Sequence, residues 1–534
     1  MTTTVTPRPH SATLIRDFTF PLPRQVRALP GWARVFAILL ILSLIAIWVR
    51  TRMIGQQFWM DEGITVGISS HSLSAIPGVL RMDGSPPLFY MLLHLWMEMV
   101  GNGQAATRWL SEIPPALMIP LGYWAGHTIA GRRAALMSAT LFAFNGFLDY
   151  YSVETRMYTL MALLALLATT GFINGFLYRR RRYVVLFALA QAAMFYTHAW
   201  SVYFAGGSFL SLVILWLISG EGIRKDLIKD ALAAYIGAVI LFIPWIPNFF
   251  FQATHTAAPW DNVPRFGFVI QIAVSVLGGG SSTVILLLAA GVGYAGLVVS
   301  RHLRLSREAK VLYMLVALTA LTLALAWIGS HITPNWDVRY FAVIVPPIVL
   351  LLAVGMSRAG VIGGLAIVFT VCFMIRPSAF APSYKSNMQD ISGEVAGMLH
   401  RNDLVIVGQP EQTPLAYYYL PGGLRFANTI GPVKDPTYMN WVDALKRYRA
   451  SDPYKVLPPM LNALRPGQQV LYIRPLTEGE LNWKSPWTSL IRSKSAQWGA
   501  ILQDDKQLRK EFWAPHFYTG APDIADSAVL YRKR

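Results

Sequence analysis

The chain has 534 residues, of which 54% are hydrophobic and only 14% charged, with a mean hydropathy of +0.42. Soluble globular proteins carry roughly 25% charged residues, so a chain this poor in charge cannot cover its own surface and a wholly soluble fold is excluded. The net charge of +18 is accounted for by short basic loops and their contacts with anionic headgroups, and it does not argue for a nucleic-acid partner.

A membrane span needs about 20 apolar residues. In chain order, residues 1–32 read as a polar and basic cytoplasmic tail. Apolar runs follow at 33–50, 109–130, 134–151, 157–177, 183–200, 202–219, 231–250, 281–300, 311–330, 340–356 and 359–375. These predict about eleven spans across residues 33–375, with a long first external loop at 51–108. The first run follows a polar, basic stretch and precedes no small-residue cleavage site, so a cleaved signal peptide is not expected. Cys372, the single cysteine, falls inside a predicted span, so no disulfide framework is expected.

Charge sets the orientation, because short loops rich in Lys and Arg stay in the cytoplasm. The clusters are Arg24, Arg27 and Arg34; Arg132 and Arg133; Arg179 to Arg182; Arg224, Lys225 and Lys229; Arg301, Arg304, Arg307 and Lys310; and Arg358. An even number of crossings must separate each cluster from the next. The runs at 33–50 and 109–130 already supply two between Arg34 and Arg132. A third, shorter stretch at 86–101 would put every later cluster outside. It is therefore read as a helix lying in the outer interface, with His94, Trp96 and Glu98 near its wet side.

The outer face then collects 51–108, the turns at 152–156, 196–200 and 331–339, the segment 251–280, and everything from 376 onward. The inner face holds only short basic turns, and no G-x-x-x-x-G-K-[ST] phosphate loop is present. Residues 376–534 have ordinary soluble composition and predict an extracytoplasmic α/β domain. Strands are expected at 404–408 and 469–473, and helices near 387–400, 438–450 and 487–503.

A few charges escape the topology rule: Asp61, Glu62, Asp83, Arg108, Glu154, Arg156, His198, Asp337 and Arg339. Ionisable groups at span ends are costly and usually face a protein interior or a wet cavity. The carboxylates Asp61 and Glu62 suit proton abstraction in a semi-enclosed site. The arginines suit a phosphate at headgroup depth, since guanidinium keeps its charge and donates in pairs. No His/Cys/carboxylate spacing marks a metal site.

In order along the chain, Phe58-Trp59-Met60-Asp61-Glu62, Gly84-Ser85-Pro86-Pro87-Leu88-Phe89-Tyr90, Arg108-Trp109-Leu110-Ser111, Val153-Glu154-Thr155-Arg156-Met157-Tyr158, Thr197-His198 and Asp337-Val338-Arg339-Tyr340-Phe341 resemble the family 39 glycosyltransferases. That family includes the protein O-mannosyltransferases and the lipid A aminoarabinose transferase. The likeness is greatest to bacterial membrane-bound mannosyltransferases and covers roughly residues 30–380.

The resemblance implies an α-helical polytopic membrane protein of the C-type glycosyltransferase fold in the plasma (inner) membrane, with its active site on the extracytoplasmic side. It implies an inverting transfer of mannose, or another hexose or pentose, from a polyprenyl-monophosphate donor to an acceptor hydroxyl on a glycan, lipid or protein. Asp61 is then the catalytic base. Glu62 and His198 position substrate, and Arg156, Arg339 and Arg108 bind the donor phosphate. No cofactor is required, with a divalent cation left open. The Trp-Trp-Asp motif of oligosaccharyltransferases is missing, Asn335-Trp336-Asp337 standing in a different setting. A polyprenyl-diphosphate-dependent glycan polymerase or ligase, and a flippase for lipid-linked sugars, are the alternative readings.

Overall fold

The computed structural model describes residues 30–534 except 257–258, 262, 300–306, 376–384, 478–483 and 515–524. The tail through residue 29 with Arg24 and Arg27, the loop residues Arg301 and Arg304, and the junction expected at 376 lie outside the described residues.

The apolar runs form helices, because only intra-segment hydrogen bonding satisfies a backbone in hydrocarbon. Among the described residues four are long and apolar enough to cross a membrane: Gly31–Thr51, Tyr158–Leu177, Glu221–His255 and Ala309–Ile332. Shorter apolar helices include Leu88–Val100, Arg182–Phe195, Ser201–Leu217, Val345–Met356 and Val361–Met374. The run at 134–151 is not one helix. Arg132–Ala143 ends, and Asn145 caps a second helix, Gly146–Ser152, by accepting from the Leu148 N–H at 3.1 Å. The run at 340–356 likewise opens with a 3-10 turn, Val338–Val343, capped by Asp337. Both breaks deliver polar side chains, Asp149 and Tyr150 in the first and Arg339 in the second.

Burial ranks the helices. Val345–Met356 is enclosed nearly throughout, with Leu350, Ala353 and Met356 fully buried. Gly31–Thr51 instead exposes Trp32, Phe36, Leu44 and Trp48. In water that face would be an oversized apolar patch; against acyl chains it is the solvated surface.

The C-terminal part folds as a six-stranded mixed sheet in the order β3-β2-β1-β4-β6-β5. The strands are β1 Leu404–Val407, β2 Arg425–Asn428, β3 Gly431–Val433, β4 Gln469–Pro475, β5 Leu508–Ala514 and β6 Asp526–Lys533. The three central strands β2, β1 and β4 are parallel and the edges antiparallel. Period-two alternation in β1 splits its side chains between two cores. Val405 and Val407 join Met388, Val395 and Leu415 on one face, while Leu404 and Ile406 join Leu457, Leu461 and Trp498 on the other. Strands β1 and β4 and helices Met388–Val395, Ala444–Ala450 and Pro486–Asp504 match the expectation. The short β2 and β3, the antiparallel pair β5 and β6, and helices Thr413–Tyr419 and Pro453–Asn462 were not foreseen.

Composition set residues 376–534 apart, yet one of the two cores takes in Phe58 and Val66 from the segment that follows helix Gly31–Thr51. The helix Met60–Ser69 lies directly on the sheet domain. A Cβ on Gly63 would meet Leu415 Cα at 2.8 Å, and one on Gly67 would clash with the Thr437 carbonyl oxygen. The Phe58 N–H donates to Tyr419 OH at 2.7 Å. Gly67→Ala therefore forces two backbones apart, an overpacking cost of about 1–3 kcal/mol. The expected result is faster proteolysis of the C-terminal domain and lower activity in a protein still inserted in membranes. Unchanged protease resistance would show that the close packing does not hold the domain in place.

Candidate functional site

The helix Met60–Ser69 starts at Trp59, whose backbone is extended, and its first turn carries Asp61 and Glu62. Acidic groups favour that position, because the helix dipole is positive there. Neighbouring helical residues point about 100° apart, so the two carboxylates meet different surroundings.

Glu62 turns inward. It is buried, as is Arg108, and the two form a bidentate pair at 2.8 and 2.7 Å. Glu62 also accepts from the Thr155 N–H at 2.8 Å and from the Trp59 N–H at 3.4 Å, the latter closing a capping box. The remaining Arg108 donors go to the carbonyls of Ile54, Gln56 and Gln57. All five guanidinium N–H groups thus have acceptors inside the protein, which leaves none for a phosphate. This pair ties the segment 54–62 to helix Gln104–Ala130 and to Thr155. Removing one partner of a buried pair strands the other charge, at a cost of about 3–5 kcal/mol. Glu62→Leu should therefore lower the thermal unfolding midpoint in detergent sharply. An unchanged midpoint would mean the pair is not holding the loop.

Asp61 turns toward a more open space, with its side chain 16% exposed. Arg339 Nη1 donates to Asp61 Oδ2, and Arg156 Nη2 lies 3.9 Å from the same oxygen. Arg339 is steered by Asp337, whose Oδ2 is 2.9 Å from its Nε. The contacts of Arg156 are looser than those of Arg108. Only its bond to Thr65 Oγ1, at 2.8 Å, is short; Asp61 O, Tyr90 OH and Tyr158 OH each lie at 3.4 Å. Its Nε has no hydrogen-bond partner. His198 accepts the Trp200 N–H on Nδ1 at 3.2 Å, and its ring packs against Tyr340 and Tyr158 at centroid distances of 4.8 and 6.0 Å.

Asp61, Arg156, Arg339 and His198 thus stand around one space, while Glu62 and Arg108 brace it from behind. Around that space burial raises two further carboxyls, Asp83 to about 6 and Asp261 to about 7, with Arg156 opposing the shift at Asp83 and Arg339 at Asp261. Two guanidinium groups already crowd the Asp61 carboxylate. Among the described residues no three His, Cys, Asp or Glu come together to hold a metal. The guanidinium groups of Arg156 and Arg339 occupy the surroundings of Asp61, which disfavours the divalent cation that the sequence left open.

Comparison with solved structures gives long matches. ArnT from Cupriavidus metallidurans, solved bound to undecaprenyl phosphate, has a TM-score of 0.56 at 13% identity, covering 94% of this chain and 98% of that one. An oligosaccharyltransferase from Archaeoglobus fulgidus scores 0.54 at 12% identity over 92% of this chain and 75% of that one. The fold is that of the C-type membrane glycosyltransferases. The mycobacterial arabinofuranosyltransferase AftD shares it at 0.51 and 14% identity, this chain spanning 40% of that longer protein. No protein-family model matches the chain, and no curated protein sequence matches it.

Within this C-type fold sequence reasoning missed one residue outside the motifs and three inside them. Lys385 pairs with Glu154 and lies 4.0 Å from the centroid of the Tyr150 ring. Burial pulls its ammonium down to about 7. A lone lysine after the last apolar run carries no sequence signal. Tyr90, Tyr158 and Tyr340 lay inside quoted motifs, but only the fold turns their rings and hydroxyls toward Arg156 and His198.

Proposed function

We propose that this protein is an inverting membrane glycosyltransferase that moves a sugar from a polyprenyl-monophosphate donor to an acceptor hydroxyl on the extracytoplasmic side. The observation that carries the reading is the partly exposed Asp61 carboxylate, held between two arginines in a C-type fold. The binding of undecaprenyl phosphate by ArnT of the same fold supports a lipid monophosphate as the donor's anchor.

The chemistry balances without a cofactor. The acceptor oxygen attacks the anomeric carbon as the bond from that carbon to the phosphate oxygen breaks. The acceptor proton goes to Asp61, and polyprenyl phosphate leaves with the bonding pair. One displacement inverts the anomeric centre. Arg156 and Arg339 stabilise the charge that develops on the phosphate, an electrostatic role that needs donors aimed in advance. Phosphate oxygens compete with Asp61 for the same guanidinium groups, and that exchange leaves the carboxylate free to accept a proton. His198, neutral with Nδ1 occupied, presents Nε2–H to a sugar or phosphate oxygen.

The deciding experiment is to incubate the protein in membranes with a panel of polyprenyl-monophosphate and polyprenyl-diphosphate sugars and to measure which is consumed. Release of polyprenyl monophosphate from a monophosphate sugar supports the reading. Consumption of diphosphate donors alone would make the protein a polymerase or ligase of the second kind.

A further inference from the structure

Arg156 is aimed by its backbone more than by its side-chain partners, since three of its four side-chain hydrogen bonds are long, at 3.4 Å. The turn between helices Gly146–Ser152 and Tyr158–Phe172 therefore sets the direction of the guanidinium. One side of this turn is held from within the helical domain. The Thr155 N–H donates to Glu62 at 2.8 Å, and the N–H and carbonyl of Arg156 bond to Ser111 Oγ at 3.3 and 3.2 Å. The other side is held from the C-terminal domain, where Lys385 pairs with Glu154, two residues before Arg156.

The same ammonium reaches the start of the helix that carries Asp61. Its Nζ lies 5.2 Å from the centroid of the Trp59 ring, and Trp59 stands two residues before Asp61. The Tyr150 ring centroid lies nearer, at 4.0 Å. A cation is attracted to such ring faces. One side chain thus touches the chain just ahead of the base and just ahead of the phosphate clamp.

A lysine on a free tail would hold nothing, but this one sits on an anchored segment. Asn387 Nδ2 donates to the Asp526 carbonyl at 2.7 Å, and the Asp526 N–H returns a bond to Asn387 Oδ1 at 2.9 Å, which fastens the segment to β6. The Gln389 N–H donates to Gln57 Oε1 at 3.0 Å, and Gln104 Nε2 donates to Gln389 Oε1 at 2.8 Å. These bonds fasten it to the helical domain as well.

We propose that Lys385 is a positioning residue for the transfer, the point through which the C-terminal domain fixes Arg156 relative to Asp61. The inference rests on the transferase reading above. Lys385 acts through Arg156 and needs no contact with substrate.

The test uses the full-length protein in phospholipid nanodiscs at about pH 6, below the value of about 7 at which the buried ammonium loses its proton. Lys385→Met combined with Glu154→Gln removes both charges, and replacing both partners of a buried pair is often neutral for stability. Hydrogen–deuterium exchange over residues 152–158 should rise about tenfold, the scale of one lost charge-assisted bond. Exchange over β1 and β4 should not change. The donor kcat/KM should fall about 10–100-fold, as for a group misplaced by about 1 Å. Lys385→Arg keeps the charge and should keep both quantities near wild type. Added to Arg156→Ala, the neutral pair should cost nothing further, because the two changes act through one group.

Unchanged exchange over 152–158, or unchanged kcat/KM, overturns the assignment. So does a loss that adds in full to that of Arg156→Ala. Exchange that rises equally over β1 and β4 would make the pair a support of the whole fold, not a positioning contact. Lys385→Arg behaving like the neutral pair would show that charge does not hold the turn. A wild-type protein that consumes no lipid-phosphate sugar would refute the transferase reading instead, and exchange over 152–158 would still decide the contact.

Discussion

Asp61→Asn is expected to lower turnover by about 10²–10⁴-fold, the range that a positioned general base contributes, while leaving folding and membrane insertion unchanged. The amide keeps the size of the carboxylate and an oxygen for Arg339, but it has no basic lone pair of comparable strength. Asp61 is also the less buried of the two adjacent acids, and its closest partner, Arg339, keeps an acceptor oxygen in the Asn variant, whereas Glu62 holds a bidentate guanidinium and two backbone N–H groups. Its loss should therefore appear in the chemical step alone. Turnover is measured as release of polyprenyl phosphate, and unfolding is followed in the same preparation. Wild-type turnover in the Asn variant would remove Asp61 from the mechanism. A collapse of stability equal to that of Glu62→Leu would mean its role is structural.

Arg156→Ala is expected to cost about 10²–10³-fold in kcat/KM for the lipid donor, the usual scale for one preorganised charge donor. Arg156 is the cleaner of the two arginines to test, since Arg339 also engages Asp61 and Asp337 directly. With Nε unpartnered and three contacts at 3.4 Å, Arg156 can turn toward a phosphate at little cost in lost bonds. Arg156→Lys should recover only part of the activity, because an ammonium cannot donate in the paired geometry of a guanidinium. Donor saturation identical to wild type in the Ala variant would sink the clamp.

The two expectations separate residues that the sequence had grouped. Arg108, Arg156 and Arg339 are indistinguishable as arginines near span ends, and all three read as phosphate ligands. What divides them is how many of their donors the folded chain has already used. Arg108 has spent all five on Glu62 and three carbonyls, and that count depends on the loop 54–57 closing over it. Glu62 was paired with Asp61 by adjacency in the chain, whereas a helical turn of about 100° per residue sends it into the core. Lys385 was invisible for the opposite reason. Its surroundings are assembled from Glu154, Tyr150 and Trp59, far away in sequence.

The C-terminal domain shows the same divide. Strands β1 and β4 were legible because each is a short apolar run bounded by turns, the pattern of a strand buried on both faces. The antiparallel strands β5 and β6 carry mixed polar sequences whose pairing partners decide their conformation, and no local pattern announces them. That Phe58 and Val66 belong to the core of this domain could not be read from either segment alone.

Apolar runs of span length and the placement of Arg and Lys between them were enough to establish a polytopic helical protein and to put its unexplained charges in a short ordered series. Lipid imposes a length and a charge rule on every span separately, so that much is written locally. Which of those charges remain available for chemistry was decided only in three dimensions. Hydrogen-bond donors are used up by neighbours that the chain brings from tens or hundreds of residues away. The partly exposed carboxylate at Asp61, shared between Arg339 and Arg156, and the loose hold on Arg156 itself are outcomes of that competition.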